Sequence, residues 1–399
     1  MSATKICKNT FSKKAPRFVF YKTEEDLKYA SDSDEEKLDL KSLPTPPVKI
    51  EDIQGTADLL KFITYIKEHE LYKSNRVFKY MIKAEDPIKE LDNMIGMKDP
   101  KRSIADQIIS CSVNLAENNG KLDPETVMKT NTAIYGDPGC GKTTLGKIIA
   151  KIYFKLGITR NEKFVIAKAS DLIAEYLGQT TMKTKKFLEK ASGGFVFLDE
   201  AYQFAAGVGS SSNADSYGKK AIDYINQYIT ENPGDIIFGL GGYFEKTKKC
   251  FFAINEGLER RFGWHYHIKP YTADELCDMF HLKASDKNIQ IVATKLNNEK
   301  KEPESNKKRK RGLRVPAISP GAEFFKEHLD KFPYSGGDVE TMLYKCMIIN
   351  EKRTIMCPEE KGKITDVDLE KGFTMYLESI VDRKPKVSEM SEAARSMFN

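Results

Sequence analysis

The chain has 399 residues, of which 64 are Lys or Arg and 58 Asp or Glu, for a net charge of +6, and 40% are hydrophobic. That length allows two or three domains and a sizeable core, while the charge is too mild to require nucleic acid as a partner. The longest apolar runs, such as 195–198 and 236–238, fall far short of the roughly 18 residues of a spanning helix, so no membrane partner is expected.

Residues 1–54 read as a disordered tail, with an acidic block from Ser31 to Glu36, then Pro44, Pro46 and Pro47, and no apolar period. Ser31 and Ser33 each stand three residues before an acidic one, a pattern acidophilic kinases accept; an unmodified solvated tail is the plainer reading. No apolar run follows the lysines of the first ten residues, so no secretory leader is expected. Residues 55–90 form a short helical segment, with Leu59, Leu60, Phe62, Ile63 and Ile66 at helical spacing and Val77, Phe78 and Met81 in a second run. From 91 to 270, short apolar runs alternate with amphipathic ones, which predicts one α/β domain with a mostly parallel sheet. Strands are predicted at 132–135, 164–167, 195–198, 236–240 and 266–268, and helices at 142–154, 171–176, 183–190 and 219–229. Residues 271–380 turn helical, at 272–280, 321–328, 339–351 and 366–376, and read as a small second domain holding a polar basic loop, 285–317. A tail, 381–399, closes the chain.

Gly136, Asp137, Pro138, Gly139, Cys140, Gly141, Lys142 and Thr143 match G-x-x-x-x-G-K-[ST] between a strand and a helix, with Thr144 next in the helix. Glycines let backbone N–H groups converge on phosphates at a helix N-terminus. Lys142 then faces the β- and γ-phosphates of ATP and the Thr143 hydroxyl faces Mg²⁺. Cys140 has two readings: a thiolate favoured by the loop dipoles and open to oxidation, or a small side chain that fits. The run 195–198 ends in Asp199 and Glu200, two adjacent carboxylates suited to different tasks. Asp199 suits the Mg²⁺ shell and Glu200 the orientation of a water attacking the γ-phosphate. That water activator disfavours a metabolite kinase. His69, His265, His267, His281 and His328 show no metal-ligand spacing, and His265 and His267 should share one face of a strand.

Over residues 91–377 the chain resembles the AAA+ ATPases, within them the CbbX/CfxQ and SpoVK-like group. The resemblance rests on Ile95-Gly-Met97, on 136–144, 171–180, 194–202 and 217–222, on Gly241-Gly-Tyr243, and on 255–262. It implies a three-layer P-loop α/β domain with a helical lid, ATP hydrolysis with Mg²⁺, and a homo-hexameric ring acting on a protein client. Ile95 and Gly96 would join the nucleotide site. Tyr176, Leu177 and Gly178 would form a pore loop gripping the client, against the alternative of a core tyrosine on a helix from 172 to 177. Arg261, or Arg260, would reach the γ-phosphate of a neighbouring subunit; Glu259 stands where the group usually has another arginine. Gly242-Tyr243 falls at the polar sensor position without a short polar side chain. The stretch 334–340 resembles the Ser-Gly-Ala-Asp stretch of members lacking the second-sensor arginine.

Three functions compete on these residues: a ring that threads or remodels a protein, a nucleic-acid motor using Lys307 to Arg311, and a nucleotide-gated scaffold. Threading is preferred, because Lys183, Lys185 and Lys186 come only after the pore loop and give no basic track along it. Lys307 to Arg311 reads as a nuclear import signal, a nucleic-acid patch or a solvated basic loop. Seven scattered cysteines without a C-x-x-C pair fit a reducing compartment, the cytoplasm, or the nucleus if that run is an import signal.

Overall fold

The computed structural model describes residues 45–174, 179–205, 214–292 and 321–381. Most of the two tails, Tyr176, Leu177 and Gly178, and Lys307 to Arg311 lie outside the described residues.

Helices α1 (Thr56–Glu68), α2 (Arg76–Lys83), α3 (Glu85–Asp92), α4 (Lys98–Glu117) and α5 (Pro124–Lys129) come first. An alternating region follows: β1 (Asn131–Tyr135), α6 (Lys142–Leu156), β2 (Phe164–Ala167), α7 (Ala169–Leu172), α8 (Thr180–Ala191), β3 (Phe195–Leu198), α9 (Ala214–Glu231), β4 (Ile237–Gly242), α10 (Phe244–Cys250), α11 (Glu256–Glu259) and β5 (Phe262–His267). The last part holds α12 (Ala273–Asp286), β6 (Gln290–Val292), α13 (Ala322–Glu327), α14 (Gly336–Thr354), β7 (Lys363–Thr365) and α15 (Asp366–Val381).

The five main strands are all parallel, in the order β2-β3-β4-β1-β5. Successive side chains of a strand point to opposite faces, and here both faces are covered, making three layers. Phe195, Phe197, Ile134 and Tyr266 join one core with Ile148, Ile149 and Tyr153 of α6. Val196, Leu198, Ala133, Phe238 and Leu240 join the other with Leu188 of α8 and Ile222 and Ile225 of α9. Sequential βα units of this kind put the strands' C-terminal ends along one edge, where α/β proteins bind ligands.

Three departures from the expected elements have physical causes. Strand β4 runs on to Gly242, because Gly241 and Gly242 still pair with Ile134 and Tyr135. Strand β5 begins at Phe262, before the predicted 266; it lies at the sheet's edge, so Gly263, His265 and His267 are exposed and break the apolar run. The predicted helix 171–176 is the single turn α7, which stops at Leu172 where Ile173 turns extended.

Helices α1 to α3 share the α6-side core, through Leu59, Ile63, Ile66, Met81, Ile88 and Leu91. Lys67 pairs with Glu85 at 2.9 Å and Lys151 of α6 with Glu90 at 2.6 Å, at the rim of that core. The helical lid centres on Phe280, Phe325, Phe332, Phe373 and Tyr376. It also holds a two-stranded parallel sheet, β6 with β7, that sequence reading did not anticipate. No helix among the described residues is long and apolar enough to cross a membrane.

Candidate nucleotide site

Strand β1 delivers the chain to Gly136 at the ligand edge of the sheet, and the loop turns there into α6. Gly139 at φ 73° and Gly141 at φ 91° take left-handed conformations that glycine adopts without strain. At Gly139 a side chain is barred twice, since a Cβ would stand 2.5 Å from the Tyr334 carbonyl oxygen. The lid segment resembling the Ser-Gly-Ala-Asp stretch thus lies directly on the phosphate loop. Lys142 is only 6% exposed, and its ammonium donates to the Gly136 and Asp137 carbonyls at 2.9 Å each. Thr143 is half-buried beside it and Thr144 is exposed, as is Asp137, while Pro138 is half-buried.

Cys140 is 3% exposed, and burial pushes its thiol pKa up against the pull of Lys142. The oxidation-sensitive thiolate is therefore not what this loop builds; the small side chain that fits is. Its carbonyl accepts the Tyr271 hydroxyl at 2.8 Å, a contact sequence reading missed.

Ile95 and Gly96 come to the same place. Gly96 has φ 69°, and a Cβ there would meet Tyr271 and Glu275 at 2.9 Å. Lys101 holds this turn from below, donating to the Asp92 carbonyl at 2.8 Å and to the Met94 carbonyl, with its pKa lowered by burial. Met97 and Met94 reach Gly141, so the turn abuts the phosphate loop.

Asp199 and Glu200 follow β3 two strands away, in the order that places β4 between them and the loop. Burial raises the Asp199 pKa and the neighbouring Glu200 adds to it, while Lys142 opposes both. Glu200 sits at φ 51°, outside ordinary strand or helix geometry. Its Oε2 is buried and meets no hydrogen-bond donor among the described residues. A carboxylate oxygen held without a donor beside a second carboxylate suits an incoming cation and water. No cluster of three or more His, Cys, Asp or Glu among the described residues could hold a metal unaided. The Thr143 hydroxyl and Asp199 fit Mg²⁺, which takes few protein ligands and completes its shell with phosphate oxygens and water.

Beside these carboxylates lies an aromatic group that sequence reading passed over. Tyr202 and Tyr243 have ring centroids 5.7 Å apart, and the Lys142 ammonium stands 5.7 Å from the Tyr243 ring. Burial, then Glu200 beside its hydroxyl, pushes Tyr202 up to about 12. The Gly242-Tyr243 pair was the available signal, but the strand order that brings Tyr202 to it is not local.

Arg260 and Arg261 lie at the other end of the sheet. Phe262 pairs with Asn131, the first residue of β1, and the Asn131 side chain donates to the Arg261 carbonyl at 2.9 Å. The length of β1, about 15 Å at 3.3 Å per residue, separates them from their own phosphate loop. Arg260 is exposed, whereas Arg261 is half-buried and donates to the Gly257 carbonyl, with its Nε buried and unpartnered among the described residues. His265 and His267 share one face as expected, at 5.8 and 4.9 Å from the Tyr135 ring, and the Tyr135 hydroxyl meets His265 Nδ1 at 2.9 Å.

Residues 132–246, from β1 through both carboxylates to Lys246, match the profile of the "ATPase family associated with various cellular activities (AAA)". The chain carries an AAA ATPase domain of the CbbX/CfxQ-like group. It is 33% identical over 290 residues to the putative cfxQ-like protein R730 of Acanthamoeba polyphaga mimivirus, covering 72% of this chain and 63% of that one. It is 29% identical over 205 residues to stage V sporulation protein K of Bacillus subtilis, covering 51% and 61%. It is 32% identical over 210 residues to protein CbbX of Cereibacter sphaeroides, covering 52% and 66%. The chain thus spans less than two thirds of the length of these relatives.

Proposed function

We propose that this AAA domain hydrolyses ATP with Mg²⁺, and that a homo-hexameric ring of such domains uses the hydrolysis to remodel or thread a protein client. The observation that carries the hydrolytic reading is the buried Glu200 Oε2, without a donor among the described residues, beside a phosphate loop whose lysine faces the same cluster. The backbone N–H groups of Gly139 to Thr143 would cradle the phosphates, and Lys142 would exchange its two carbonyl partners for phosphate oxygens. Thr143 and Asp199 would hold Mg²⁺, which neutralises charge on the phosphates. Glu200 would accept a hydrogen bond from water and orient it for attack, worth roughly 10² to 10⁴ in rate. Lys142→Ala should lose ATP binding, whereas Glu200→Gln should bind ATP and lose turnover; a near-normal rate in Glu200→Gln would overturn its role.

The ring reading is supported by the arginines' place at the foot of the sheet, the length of β1 away from their own phosphate loop. A finger supplied from a neighbour contributes roughly 10³ to 10⁵ in rate. The Arg260→Ala/Arg261→Ala double variant should bind ATP and hydrolyse it slowly, and mixing it with Lys142→Ala should restore part of the activity at hybrid interfaces. No recovery in rings shown to be mixed would count against a finger acting in trans. The gripping role of Tyr176, Leu177 and Gly178 belongs to the same proposal.

A further inference from the structure

Helix α10 begins directly after Tyr243 and carries Lys246 on its first turn. The Lys246 ammonium lies 4.8 Å from the centroid of the Tyr243 ring and 5.3 Å from that of Tyr202. Its seat is therefore built from both segments that frame the reactive end of the site, the one following Glu200 and the one following β4. Tyr243 is shared: the Lys142 ammonium stands 5.7 Å from the same ring. Two lysines from different helices, one in the phosphate loop and one outside it, thus converge on a single aromatic side chain next to a carboxylate oxygen that has no donor among the described residues.

A cation over an aromatic face is held loosely when the site is open to water, and Lys246 is exposed. Its flexible four-carbon stem can carry the ammonium off the rings without moving the helix. A terminal phosphate arriving between Lys142 and Glu200 brings at least one further negative charge than a diphosphate does, and a compact ammonium nearby is drawn to it more strongly than to a neutral ring. Resting on the ATPase reading above, we propose that Lys246 is a second phosphate cation of the site, one that binds the γ-phosphate and so lets the domain tell ATP from ADP, with Tyr202 and Tyr243 as its seat when no γ-phosphate is present. Lys248 provides the internal control. It stands on the same helix with its ammonium 5.8 Å from the exposed Phe244 ring, and no tyrosine of the Glu200 segment joins it.

The test compares binding of Mg·ADP and of a non-hydrolysable ATP analogue with an imido β–γ bridge, on the full chain at fixed salt. Lys246→Ala should weaken the analogue roughly tenfold while ADP changes by less than about twofold, and Lys246→Arg should keep most of the discrimination. Lys248→Ala should leave the ratio of the two affinities unchanged. Thermal unfolding without nucleotide should not move in either variant, which separates phosphate binding from a structural role. The assignment is overturned if Lys246→Ala weakens both nucleotides equally, if it changes neither, or if Lys248→Ala produces the same loss. A wild-type chain that bound neither nucleotide would remove the ATPase reading itself, and this proposal with it; intact binding with an unchanged ratio removes Lys246 alone.

Discussion

Two acidic centres in this molecule, one fully buried and one half-buried, are treated in opposite ways. In the lid, Asp368 is fully buried, and its carboxylate accepts from Arg353 Nε and Nη2 at 3.0 Å each, from Asn350 at 3.3 Å, and from the backbone and hydroxyl of Thr365 at 3.0 and 3.1 Å. Burial alone would raise its pKa, but the hydrogen bonds from Arg353, Thr365 and Asn350 outweigh burial and hold it below the usual carboxylate range. At the ligand edge of the sheet, burial and Glu200 raise Asp199, and Glu200 Oε2 has no donor at all among the described residues. The saturated centre ties α14 to α15 and to β7. The other leaves Glu200 Oε2 without a donor among the described residues, as expected of a centre that would receive charge and water rather than serve as a clip.

The largest effect on stability should come from breaking the saturated centre. Arg353→Met leaves Asp368 buried with its main partner gone and should cost about 3 to 5 kcal/mol in urea unfolding, while Arg353→Met with Asp368→Leu should recover a large part of that. The pH dependence has a definite sign. Because the folded pKa of Asp368 is depressed, its contribution is present above the unfolded value near 4 and is lost as pH falls through the folded value. Acid should therefore destabilise the wild type more steeply than the double variant. An unchanged urea midpoint in Arg353→Met would show that the clip is ornamental and would remove one side of the comparison.

What the sequence made legible follows from how local each constraint is. The phosphate loop is written in consecutive residues, because left-handed turns at Gly139 and Gly141 and a helix starting at Lys142 are demands on neighbouring positions. Buried strands such as β3 and β4 show as short apolar runs for the same reason. The edge strand β5 was cut short because only one face of it is covered, so His265 and His267 interrupt the signal. Strands β6 and β7 are three residues each and pair across most of the lid, which leaves no periodicity to read. The candidate site was legible at Gly136 to Thr144, Asp199 and Glu200, where a motif names residue types. It was not legible at Tyr202 and Lys246, which meet only because β3 and β4 are neighbours in the sheet. Tyr271 and Lys101 were invisible for a related reason: they act by hydrogen-bonding backbone carbonyls, which any residue supplies.

The smallest effect sharpens the comparison most, since it predicts a gain where the lid predicts a loss. Asp199 has a raised folded pKa, so its ionised form is a penalty on the nucleotide-free fold rather than a support. Asp199→Asn removes that penalty while keeping the shape, and should stabilise the nucleotide-free chain at pH 7 by less than about 1 kcal/mol, because the side chain is only half withdrawn from water. The gain should shrink as pH falls and vanish below about 4, where Asp199 is protonated in both the folded and unfolded chain. That is the reverse of the Asp368 profile, where acid takes stability away. The same substitution should remove Mg²⁺-dependent hydrolysis, so the variant would be more stable and inactive, as expected of a residue kept for its ligand rather than for the fold. Thermal melts of wild type and Asp199→Asn across pH 4 to 8, without nucleotide, decide the matter. A loss of stability at pH 7 would mean that Asp199 is held by the protein as Asp368 is, and the distinction between the two centres would fall.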